Sequence, residues 1–89
     1  MPFHLRGTIT VPDEKLAEVR AALEEHVRLT RAEPGCLAFE VTEGEGGVFD
    51  VCESFADVAA FEAHQDRTHR SDWSAITRGM PRDYETWSD

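Results

Sequence analysis

The sequence predicts an α+β fold in which one antiparallel sheet of four strands carries helices on a single face. Three observations predict it. Period-two alternation of apolar and polar residues marks strands, and apolar spacings of three and four mark helices between them. A glycine-rich segment, Glu43-Gly44-Glu45-Gly46-Gly47, joins the second and third strands as a hairpin. A chain of 89 residues has room for one domain only, spanning 1–89, so every element must share one core.

Residues 3 to 11 set Phe3, Leu5, Gly7, Ile9 and Val11 against His4, Arg6, Thr8 and Thr10, the pattern of a half-buried strand. Pro12-Asp13 closes it, and Asp13 is expected to cap the helix that follows. From Glu14 to about Ala32, Leu16, Val19, Leu23 and Val27 form one stripe, with Glu18, Arg20, Glu24, Glu25 and Arg28 largely opposite. His26 reads as helix surface. Pro34-Gly35 stops this helix.

The hairpin runs Cys36 to Thr42 and Val48 to Phe55. Pairing residue 39 with 51 gathers Leu37, Phe39, Val41, Phe49, Val51 and Phe55 on one face, which a slip by one residue would scatter. Glu53 falls among these apolar residues. Cys36, Ala38, Glu40, Asp50, Cys52 and Ser54 share the other face.

Ser54-x-x-Asp57 has capping-box spacing and opens a helix with Val58, Phe61 and His64 on one side. Gln65 to Thr68 is expected to break it, and a further helix from Thr68 or Ser71 carries His69, Trp73, Ile76 and Met80. Gly79-Met80-Pro81 ends that helix, and Arg82 to Trp87 reads as a last strand, with Tyr84 and Trp87 on opposite faces. The order strand, helix, strand, strand, split helix, strand is a split β-α-β pattern of ferredoxin-like type.

Composition narrows the function. A net charge of −9 excludes a phosphate backbone or an anionic membrane as the expected partner, since both are bound through clustered Lys and Arg. No run approaches the ~18 apolar residues of a membrane span, and the first residues lack the pattern of a signal peptide, so the cytoplasm is the expected location. Cys36 and Cys52 form no C-x-x-C pair and are expected as buried free thiols. His64 and His69, five apart, would stand about 140° from each other on one helix, unsuited to sharing a metal.

A carboxylate on an apolar strand face must be paired, hydrogen-bonded or protonated, which singles out Glu53 for either a structural or a functional role. His64, three residues after Phe61, points toward the sheet, as a satisfied core or rim histidine or as a catalytic one.

Glu53-x-Phe55, then Phe61-x-x-His64, then His69, is similar to the signature of antibiotic biosynthesis monooxygenase domains. Glu33-Pro34-Gly35-Cys36-Leu37-Ala38-Phe39 resembles the same family's Glu-x-Gly-Cys-x-x-aromatic opening of the second strand, and the matched order of elements covers nearly the whole chain. The resemblance implies a homodimer of two sheets packed face to face as a dimeric α+β barrel, with one pocket per subunit. It implies cofactor-independent oxygenation of a quinol or electron-rich polycyclic aromatic substrate, with no metal and no cofactor. His64 would be the base, His69 the second choice, with Glu53 close by. Trp73 and Tyr84 would hydrogen-bond substrate oxygens, and Phe39, Phe55 and Phe61 would form the walls. Gly7 stands where haem-degrading relatives are expected to carry asparagine, and Phe55 where many relatives have tryptophan. A non-catalytic homodimeric module for a small hydrophobic ligand and a haem-binding or haem-degrading protein are the other readings.

Overall fold

Two strands from the middle and end of the chain flank the first. In a computed structural model describing all 89 residues, Met1–Asp89, β1 (Phe3–Thr10) pairs antiparallel with β3 (Val48–Phe55) on one side and β4 (Arg82–Ser88) on the other. β2 (Cys36–Glu43) pairs antiparallel with β3, giving the order β2-β3-β1-β4 of the expected ferredoxin-like sheet. Helices α1 (Leu16–Arg31), α2 (Val58–His69) and α3 (Asp72–Ile76) complete the fold. No helix is long and apolar enough to cross a membrane.

The alternation in β1 buries Leu5 and Ile9, which join Val11, Val19, Phe49, Val51 and Trp73 in the core. Asp13 does not cap α1. The chain enters through a 3-10 turn, Asp13–Lys15, which puts Asp13 inside the turn, and neither it nor α1 has a side-chain cap.

The hairpin register is two residues from the expected one, with Phe39 opposite Glu53 and Val41 opposite Val51. Gly46 (φ 66°) and Gly47 (φ 78°) take left-handed conformations that move the centre of the turn from residue 45 to residue 46. An even shift preserves parity, so the faces survive. A register irregularity between Cys36 and Ala38 leaves Leu37 out of the ladder and 61% exposed, off the apolar face, and sets Cys36 opposite Phe55.

The cap of α2 is Asp57, which accepts from the Ala60 N–H at 2.8 Å. Ser54 cannot serve because it still belongs to β3 and its hydroxyl meets His4 Nδ1 at 2.7 Å. α2 runs straight through the expected break at 65–68, a stretch that contains neither glycine nor proline, and His69 is its last residue. Ser71, capping α3 through the Ser74 N–H, marks the true boundary.

Candidate functional site

The site is assembled where the loop before β2 meets α2. Gly35 makes this approach possible, since a Cβ there would lie 2.3 Å from the Cβ of Ala60. Glu33, two residues earlier, is reached by two side chains one turn apart on α2. His64 Nδ1–H donates to Glu33 Oε1 at 3.0 Å, and Arg67 Nε–H donates to Oε2. Arg67 Nη2 also donates to the buried Thr30 hydroxyl at 2.8 Å, tying α1 into the same network.

Because a carboxylate only accepts, the His64 proton sits on Nδ1 and the lone pair on Nε2. Nε2 lies 3.7 Å from Glu53 Oε1 and 3.4 Å from the Thr68 hydroxyl. The ring is packed against Phe55 at 4.9 Å and Phe39 at 5.7 Å between centroids. Burial lowers the His64 pKa, outweighing the charge and hydrogen bond of Glu33, which raise it, while Arg67 lowers it further. The imidazole is neutral and 2% exposed.

Glu53 is 7% exposed, as its place on the apolar face of β3 requires, and its Oε1 has no hydrogen-bond partner. Burial, reinforced by the charge of Glu33, pushes its pKa up to about 7. His26 corrects a sequence expectation: it is 5% exposed, stacked on Trp73 with centroids 5.0 Å apart and planes 2° from parallel. Its Nδ1 is unpartnered, and burial, reinforced by His64 when that ring is protonated and by the charge of Arg67, lowers its pKa to about 3.

These groups converge on a cleft of about 490 Å³. Leu5, His26, Glu53, His64 and Trp73 form its buried floor. The exposed His69, Arg78, Arg82 and Tyr84 stand at its rim. Tyr84 is 38% exposed. Even so, loss of hydration raises its pKa, against the charge of Arg82, which lowers it. A second hollow of about 550 Å³ between α1 and α3 shares only His26 and Trp73 with the first, and neither Glu53 nor His64 reaches it. The convergent chemistry belongs to the sheet-side cleft.

The antibiotic biosynthesis monooxygenase family matches residues 2–75. This chain belongs to that family. No curated protein matches it. Among solved structures it is similar to a "putative antibiotic biosynthesis monooxygenase" from Nitrosomonas europaea, with TM-score 0.86 and 16% identity over 99% of this chain and 89% of that one. Another "putative antibiotic biosynthesis monooxygenase", from Bacteroides thetaiotaomicron, has TM-score 0.85 and 22% identity over the same shares, 99% and 89%. A protein from Pseudomonas aeruginosa has TM-score 0.79 and 25% identity over 99% and 93%.

Within this family member, His64, Glu53 and Trp73 meet at one floor, with Tyr84 and His69 above it. Phe39, Phe55 and Phe61 stand elsewhere: Phe39 and Phe55 pack behind the His64 ring, and Phe61 lies against Phe55 and Phe3 at 5.7 and 4.8 Å, outside the cleft lining. Sequence reasoning assigned no role to Glu33, Arg67 or Arg82, and misplaced His26. A signal for His26 existed, since it follows Leu23 by three residues and Val19 by seven, on the buried stripe. Arg82 and Tyr84 lie beyond the matched residues 2–75.

Proposed function

We propose that this protein is a homodimeric, cofactor-independent monooxygenase that oxidises a quinol or electron-rich polycyclic aromatic substrate with dioxygen. The observation that supports this reading is the pairing, 3.7 Å apart, of the His64 Nε2 lone pair and the unpartnered Glu53 Oε1 at the floor of an aromatic-backed cleft. A buried neutral imidazole whose tautomer is held by Glu33 is a base aimed at the cleft. A buried carboxyl with pKa near 7 is available as an acid.

In this reading His64 removes a phenolic proton, and the resulting electron-rich anion passes one electron to dioxygen. The radical pair joins in a C–O bond, and the imidazolium returns its proton to give a hydroperoxide. His64 then takes the C–H proton from the same carbon as the O–O bond breaks. The carbonyl forms, and the departing hydroxide leaves as water with a proton from the imidazolium. One oxygen atom enters the product, the other enters water, and the substrate supplies all four electrons. In the same reading Glu53 in its acid form, Trp73 and Tyr84 hydrogen-bond the oxygen substituents, and His69 at the rim is the second candidate base.

Oxygen uptake with anthrone or a reduced naphthoquinone tests this. One dioxygen consumed per substrate, lost in His64→Ala, is the expected result. Saturable binding without uptake would instead make the protein a ligand-binding module.

A further inference from the structure

The distribution of positive charge bears on which substrate the cleft takes. The chain has nine Lys and Arg against eighteen Asp and Glu. Lys15, Arg20, Arg28, Arg31, Arg67 and Arg70 each lie within ion-pair distance of an acid. Three arginines remain without a carboxylate. Arg6 lies on the opposite sheet face, in a hollow it shares with Asp50, Asp83 and Glu85. The other two, Arg78 and Arg82, both line the cleft, where the single carboxyl group is the buried Glu53.

Arg82 is fixed without being neutralised. Nη1 donates to the carbonyls of Thr77 at 3.0 Å and Met80 at 3.2 Å, and Nη2 to the Thr77 hydroxyl at 2.6 Å. These uncharged acceptors use three of five N–H donors; the Tyr84 hydroxyl also lies near the guanidinium, and the remaining Nε–H and Nη2–H are enough for the two oxygens of a carboxylate that displaces it. Thr77 is itself held, its hydroxyl donating to Trp73 O at 2.7 Å, so the guanidinium is braced against the helix that supplies the cleft's tryptophan. In a chain so acidic, surface arginines find acids readily. Two left unpaired at one opening, one of them anchored, concentrate positive potential where a ligand enters.

We propose that Arg78 and Arg82 make the cleft selective for an anionic ligand, an aromatic phenol or quinol that carries a carboxylate. The phenolic half rests on the oxygenase reading above; the carboxylate half rests on the two arginines alone. The acid group sits at the exposed rim, and the phenol reaches the floor where His64 and Glu53 meet. Arg82 then acts as a specificity-determining residue, through a planar bidentate contact that lysine reproduces only in charge.

Two probes, 6-hydroxy-2-naphthoate and its methyl ester, whose hydroxyl and acid groups stand at opposite ends, separate charge from shape in isothermal titration with the full chain under anaerobic conditions. The acid is expected to bind at least tenfold more tightly than the ester. Arg78→Gln should narrow that gap at least threefold, and the Arg78→Gln, Arg82→Gln double variant should bring it within twofold, with ester affinity unchanged. Arg82→Lys should keep part of it. Unchanged ester affinity also reports an intact cleft, and should the double variant fail to fold, Arg78→Gln decides, since its side chain holds nothing else in place. An acid that binds no better than its ester, or does not bind, overturns the proposal, as does a gap that survives Arg78→Gln. Because binding is measured without dioxygen, failure of oxygen uptake with a carboxylated quinol leaves this result standing and sinks only the oxygenase reading. Uptake with neutral anthrone beside a missing acid preference does the reverse.

Discussion

At the scale of single residues, the His64 hydrogen bond to Glu33 and the unpartnered oxygen of Glu53 divide the work between orientation and proton affinity. If Glu33 serves to hold the tautomer, Glu33→Gln should lower kcat roughly tenfold or more with KM little changed, while His64→Ala should cost about 10²-fold or more in kcat. Equal activity in all three proteins would remove His64 from the chemistry. Glu53 makes a separate prediction about stability. Its pKa is raised from the 4.5 expected for the unfolded chain to about 7, so between those values the folded state holds a proton that the unfolded state has released. Its contribution is therefore full below pH 4.5 and is lost as pH rises through 7, a loss of roughly 3 kcal/mol at most. His26 has the opposite sign. With its pKa lowered from 6.5 to about 3, its contribution is present above pH 6.5 and is lost as pH falls, so the two slopes oppose each other between 4.5 and 6.5. Comparing Glu53→Gln with wild type isolates the carboxyl: in urea unfolding the variant should gain up to about 3 kcal/mol relative to wild type between pH 5 and pH 8. A difference independent of pH would show Glu53 to be ordinary.

At the scale of elements, the site depends on how closely α2 meets the loop before β2. Asp57→Ala removes only the cap and should cost about 1 kcal/mol with activity kept. Gly35→Ala adds a methyl 2.3 Å from Ala60 Cβ, so α2 must move away from Glu33. It should cost about 1–3 kcal/mol and reduce oxygen uptake well beyond what Asp57→Ala does. Uptake that falls equally in both would mean that global stability, not this contact, governs the site. The same contact shows where sequence reading reaches and where it stops. Alternation in β1 and β3 is enough to place Leu5, Val51 and Glu53 on the buried face, because parity is all that hydrophobicity reports. It cannot detect a register shift of two, which leaves every face unchanged, nor the irregularity at Leu37. The likeness of Glu33-Pro-Gly-Cys to a family motif marks the right segment, yet the reach of Arg67 to Glu33 spans 34 residues and is set by tertiary approach. The end of α2 was missed for a different reason: with no glycine or proline between 65 and 69, only the Ser71 cap signals the boundary.

At the scale of the whole molecule, the helices cover one face of the sheet and leave the other open. On that open face Ala38 and Trp87 are exposed, and His4, bonded to Ser54 and paired with Asp89, stacks near Trp87 with centroids 5.2 Å apart. The two thiols are free but not buried as expected, since this face leaves Cys52 exposed and Cys36 half-buried. Only 15 of 89 residues are buried, so the isolated subunit has a small core for its length and gains from covering this face. Arg6 shares its hollow with Asp50, Asp83 and Glu85, and a two-fold copy would bring the same four residues, so Arg6 is the one cation there that limits repulsion between the two patches. Sedimentation at micromolar concentration should therefore give about twice the 10.0 kDa of the chain. Ala38→Lys sets a charge at an exposed position, where the subunit itself tolerates it, and should weaken association at least tenfold. Arg6→Glu should do so more strongly, with part of the loss restored by added salt. A wild-type mass of 10.0 kDa, or two variants that associate as well as wild type, would mean that the open face meets water and the cleft works within a single subunit.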